Sequence, residues 1–198
     1  MGELIYRMTY GTTIVSPQTK QQIIAIINRL TQIFYSGSKQ SINLEATKPM
    51  EIGYETKSGT EIREKERLFN EELVKKLLLS PNFKIRIYVG KFAITFVYNH
   101  SKHQNHAFEV EIWGPFKEAM NKYLLNFLMD KDTIASACIF DPVDSRATRI
   151  RDLIDSVVKS FFGDTLYKNE RKIVLHKFDR ERVYFNLFGH FFSISKMS

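Results

Sequence analysis

Ile23, Ile27, Leu30 and Phe34 recur three or four residues apart, the spacing of one face of an α-helix. Ser16 and Pro17 supply an N-cap and a proline at the first helical position, where its missing N–H costs nothing. Gly37 offers the exit. A second helix is expected from the capping-box pattern Ser58, Gly59, Thr60, Glu61, with Ile62, Phe69, Leu73 and Leu77 as its stripe and Ser80-Pro81 as its stop. A third starts at Gly114-Pro115 and carries Phe116, Ala119, Met120, Tyr123, Leu124, Phe127 and Leu128. A fourth follows Asp141-Pro142, burying Ala147, Ile150, Leu153, Ile154, Val157 and Phe161 before Gly163.

Other stretches show a period of two. Met50, Ile52 and Tyr54 alternate with Glu51, Gly53 and Glu55. Phe83, Ile85, Ile87 and Val89 alternate with Lys84, Arg86 and Tyr88, and Phe108, Val110 and Ile112 with Glu109 and Glu111. Each reads as a strand with one buried face. Further strands are expected over residues 3–15, 91–98, 134–140, 172–178 and 182–194. The runs at 83–89, 91–98 and 107–112 are too close for crossovers, so their pairing is expected to be antiparallel. The order is roughly βαββαβββαβαββ. That defines an α+β fold, a largely antiparallel sheet with about four packed helices, and its first ninety residues invite a ferredoxin-like start, βαββαβ. One globular domain is expected over residues 1–198.

Composition supports a packed chain: 43% of the 198 residues are hydrophobic and 26% charged, while nine glycines and five prolines leave little room for long loops. A single cysteine, Cys138, excludes an internal disulfide and lies in an apolar run, where an inert thiol is expected. The start has no basic region followed by an apolar one, and no run of about 18 apolar residues spans a membrane. A cytoplasmic protein without membrane attachment is the expectation.

Short phosphate-cradling and hydrolase motifs are absent from the sequence. His100, His103 and His106 stand three apart, a spacing that can converge on a transition metal. Their setting among Asn, Ser, Gln and Lys between two strands reads instead as a solvated hairpin loop, so no metal and no cofactor are assigned. Glu109 and Glu111 share a strand face, and are expected to pair with Lys84, Arg86 or Lys91 across the sheet. Asp164 with Glu170 and Lys172 is the one passable version of a magnesium-nuclease pattern.

Charge adds a lean rather than a motif. The net charge is +7 and the pI about 9.4. Residues 146–182 hold ten basic side chains (Arg146, Arg149, Arg151, Lys159, Lys168, Arg171, Lys172, Lys177, Arg180, Arg182) against six acidic ones, with Tyr167 and Tyr184 interleaved. Arg146, Arg149, Arg171, Lys172, Arg180 and Arg182 are the candidate anion contacts, and Tyr167 and Tyr184 the candidate aromatic contacts. The last strand, 183–194, is apolar or aromatic on both faces, which suits a central strand or an edge buried by a partner such as a second copy in a homodimer. The expected function is a non-catalytic binding protein of inhibitor, immunity or adaptor type, recognising a protein or an anionic ligand through this C-terminal region. The alternatives are a nucleic-acid-binding protein and a metal-dependent nuclease.

Overall fold

The computed structural model describes residues 3–12, 17–36, 45–99, 106–114, 145–163, 166–174, 185–187 and 190–192. The elements are β1 (Glu3–Thr12), α1 (Pro17–Tyr35), β2 (Met50–Glu55), β3 (Glu61–Glu66), α2 (Glu71–Leu79), β4 (Asn82–Val89), β5 (Phe92–Asn99), β6 (His106–Gly114), α3 (Ser145–Phe162), β7 (Leu166–Val174), β8 (Phe185–Leu187) and β9 (His190–Phe192). The strands form one sheet in the order β3-β2-β4-β5-β6-β1-β7-β8-β9, and every pairing is antiparallel.

Alternation makes the central strands. Ile52 and Tyr54, Ile85 and Ile87, Ile94 and Phe96, Val110 and Ile112, and Met8 and Tyr10 are buried on one face. On that face α1 lays Ile23, Ile24, Ile27, Leu30 and Phe34, α2 lays Leu73 and Leu77, and α3 lays Ala147, Ile150, Ile154 and Val158, in one continuous core. Burying each of the larger side chains contributes about 1.5–3 kcal/mol. Lys20 of α1 reaches the end of α2, where its Nζ donates to the Leu78 carbonyl at 2.8 Å and to that of Ser80. It thereby satisfies acceptors that a helix end leaves over, while burial holds its ammonium below the usual lysine range.

The expectation of four helices is overturned: among the described residues there are three. The stretch 58–79 is a strand followed by a short helix. Ser58 and Gly59 belong to the turn between β2 and β3, with Gly59 at φ 85°, and β3 pairs along its whole length with β2. The helix begins only at Asn70, whose side chain accepts from the Leu73 N–H at 2.7 Å, with Glu71 and Glu72 in the first turn. The third expected helix and the strand expected at 134–140 lie outside the described residues. The ferredoxin-like start is also corrected. Its first strand would pair with neighbours from the same ninety residues, whereas β1 sits between β6 and β7, which lie beyond them. The last strand is not central: β8 and β9 form a short hairpin at the sheet's end.

Gly114, expected at a helix start, closes β6. A β-carbon there would lie 2.6 Å from Phe92 Cδ1 and 2.7 Å from Ile5 Cδ1, both belonging to buried side chains. Gly114→Ala should therefore cost about 1–3 kcal/mol by overpacking. Urea denaturation measures it, and a loss below about half a kcal/mol would show that Phe92 and Ile5 shift freely. Among the described residues no helix is long and apolar enough to cross a membrane.

Candidate interaction surface

The structure divides the expected anion contacts. Arg146 and Arg149 are exposed on the first turns of α3, and the Arg146 guanidinium lies 5.6 Å from the centre of the Phe92 ring. Arg171 and Lys172 lie on β7, at the register positions opposite Arg7 and Tyr6, and Tyr167 stands opposite Gly11. Arg180, Arg182 and Tyr184 lie outside the described residues, as do His100, His103 and Asp164. Among the described residues no group of three or more His, Cys, Asp or Glu is placed to hold a metal ion.

Two cations of the basic stretch are committed inside the molecule. Arg151 binds Glu170 at 3.0 Å and Asp152 at 2.8 Å, and lies 5.3 Å over the Tyr6 ring. Lys168 pairs with Asp155 and, at 2.7 Å, with Glu170. Burial alone would lower the Lys168 ammonium, but hydrogen bonds to Asp155 and Glu170 outweigh it and raise its pKa. The Tyr10 hydroxyl donates to Asp155, and burial, reinforced by that bond, pushes its pKa far above the usual phenol range. These groups join α3 to β1 and β7. Glu170, the carboxylate of the nuclease pattern, is one of them and is held between two cations.

The other face of the sheet carries charged and polar side chains among a few apolar ones, and no described helix packs on it. Cross-strand register sets its side chains in rows. One runs Lys65, Glu51, Arg86, Thr95, Glu111, Arg7 across β3, β2, β4, β5, β6 and β1. The next runs Arg63, Gly53, Lys84, Val97, Glu109, Thr9. Glu109 and Glu111 stand opposite Val97 and Thr95 rather than Lys84 or Arg86, and pair on their other side with Arg7, at 3.4 and 3.0 Å. Trp113 Nε1 donates to Glu111 at 3.0 Å, and Arg86 Nε to Thr95 Oγ1 at 3.2 Å. Over β2 and β4 the face opens into a hollow of about 910 Å³, bordered by Glu51, Gly53, Glu55, Arg63, Lys84 and Arg86.

Burial alone would raise the Glu111 carboxyl; hydrogen bonds with Glu109, Arg7 and Trp113 and the charge of Arg7 hold it below the ordinary 4.5. A depressed folded value stabilises the protein above the unfolded value, and that contribution is lost as pH falls through the folded one. The urea midpoint should drop more steeply in the wild type than in Glu111→Gln as pH is lowered from about 6 to about 3. Equal slopes would show that the Arg7 cluster carries no linkage.

Sequence reasoning missed this face as a site because it weighed charge by count along the chain. The outward alternation of Glu51, Lys84, Arg86, Glu109 and Glu111 was its visible signal. No protein-family model, curated protein or solved structure matches the chain.

Proposed function

We propose that the chain is a binding protein that recognises a protein or an anionic ligand. The observation that carries this reading is the one-sided architecture: all three described helices pack on one face of the sheet, and the opposite face presents ordered rows of mixed charge around an open hollow. Mixed rows favour a partner of complementary pattern, because a partner of wrong pattern meets like charges that cost several kcal/mol. Exposed Arg146 and Arg149 add a cationic edge on the helical side.

The excess of +7 and the two exposed arginines favour nucleic acid as a second reading. Salt separates the two, since phosphate binding falls by about 0.9 log units per contact for each log unit of salt on duplex DNA. Affinity capture from lysate, with and without nuclease, tests both. The expected result is a protein retained after nuclease treatment at about 150 mM salt, reduced by Lys84→Glu with Arg86→Glu. Recovery of nucleic acid alone, abolished by Arg146→Glu with Arg149→Glu, would replace the first reading with the second.

A further inference from the structure

At one place in the charge rows no side chain stands between two cations. In the row through Glu51, an acid on β2 stands between Lys65 of β3 and Arg86 of β4. Two residues along, β2 offers Gly53 between Arg63 and Lys84. With strands about 4.8 Å apart, positions 63 and 84 are separated by about 10 Å with no side chain between them. A β-carbon built on Gly53 meets only the Lys84 carbonyl, at 4.0 Å, and the backbone there is not left-handed. Neither space nor backbone demands glycine. Glycine inside a strand weakens it, and often marks a place where a ligand approaches the backbone.

The neighbouring acids do not fill the gap. Glu51 accepts from the Tyr88 hydroxyl at 3.0 Å, and Glu55 from Asn82 Nδ2 at 2.8 Å. Arg63 engages exposed Glu61 through Nε alone, at 3.2 Å. Among the described residues, Lys84 and Lys65 form no ion pair. Two cations therefore flank a vacant place that elsewhere in the lattice holds a carboxylate.

We propose that the hollow over Gly53 is a docking site for an acidic segment of a partner protein, one of whose carboxylates takes the place between Arg63 and Lys84. This rests on the reading of the chain as a binding protein and names the chemistry of its partner. A nucleic-acid backbone fits worse, because its closely spaced phosphates would lie against Glu51, Glu55 and Glu61 on the same border. A peptide can set one carboxylate in the gap and neutral or basic groups beside the acids.

The probe is a capped hexapeptide of one glutamate among five glutamines, compared with capped hexaglutamine and inorganic phosphate, by amide chemical-shift mapping at low salt. The single-glutamate peptide should move Gly53, Arg63 and Lys84, and hexaglutamine should not. Lys84→Glu should weaken the effect about fivefold, the upper range for an exposed pair. Gly53→Glu supplies the missing acid from the chain itself. It should abolish the peptide's shifts in the hollow and raise the urea midpoint above that of Gly53→Gln, by a margin that shrinks in high salt. The glutamine variant controls for filled space and strand propensity. The proposal is overturned if Gly53→Glu is no more stable than Gly53→Gln, if the single-glutamate peptide shifts only other regions or none, or if phosphate displaces it at equal concentration. A captured partner retained equally by Gly53→Glu would remove this docking site and leave the binding reading intact. Failure to capture any partner while the single-glutamate peptide still maps to Gly53 would remove the binding reading and leave the carboxylate site.

Discussion

Deleting residues 1–12 should leave a chain with no cooperative melt. β1 is the strand that joins the two parts of the sheet, pairing with β6 from Glu3 to Gly11 and with β7 from Tyr6 to Thr12. Without it, β3-β2-β4-β5-β6 is separated from β7-β8-β9. The deletion also removes Ile5, Tyr6, Met8 and Tyr10, all buried against the core. At about 1.5–3 kcal/mol each, four such side chains amount to about 6–12 kcal/mol, comparable to the whole stability of a domain. The loss extends to α3, which Tyr6 holds through Thr148 Oγ1 at 3.2 Å and Tyr10 through Asp155. Far-UV circular dichroism against urea is the measurement. A soluble deletion variant with a single sigmoidal transition would show that β6 and β7 can close on each other directly.

That central place of β1 was not legible in the sequence, for a physical reason. Its partners lie about 100 and about 160 residues further along, and pairing over such distances is rewarded only after the chain closes, leaving no local signature. β2, β4 and β6 were legible because one face is buried and the other carries charge, so period two appears in hydropathy itself. β3 hides for the opposite reason. As the edge strand of the sheet it carries charge on both faces, Glu61, Arg63 and Lys65 outward and Glu64 toward Tyr54 and Lys76, so no alternation survives. Ile62 then falls by accident into helical step with Phe69, Leu73 and Leu77. The better signal was Asn70 followed by two acids, a helix start placed twelve residues later than Ser58. For the site, counting cations found Arg151 and Lys168 but could not show that both are engaged by Asp155, Asp152 and Glu170. Gly53 passed as a neutral position, because a missing acid acquires meaning only from its cross-strand neighbours.

Phe96→Ala should cost about 3–5 kcal/mol, the range for truncating a buried phenylalanine. Phe96 is fully buried on β5 opposite Val110, beneath the helices. Its ring lies 6.0 Å from that of Phe108 at an interplanar angle of 8°, and Phe108 lies 5.8 Å from Tyr10 at 25°. Aromatic contact thus runs across β5, β6 and β1 through the middle of the sheet. Truncation removes the transfer energy of the ring and leaves a void that the neighbouring rings and the paired backbone beneath them only partly collapse to fill. Phe96→Leu retains much of the volume and should cost about 1 kcal/mol. Pairing Phe96→Ala with Phe108→Ala should show a coupling of about 0.5–1.5 kcal/mol beyond additivity, the contribution of ring stacking over area alone. Urea midpoints of the wild type, Phe96→Leu, the two alanine variants and their double provide all these values. A loss below about 1 kcal/mol for Phe96→Ala would place the ring at a yielding margin of the core, and additive single losses would show that the two rings touch without stabilising each other.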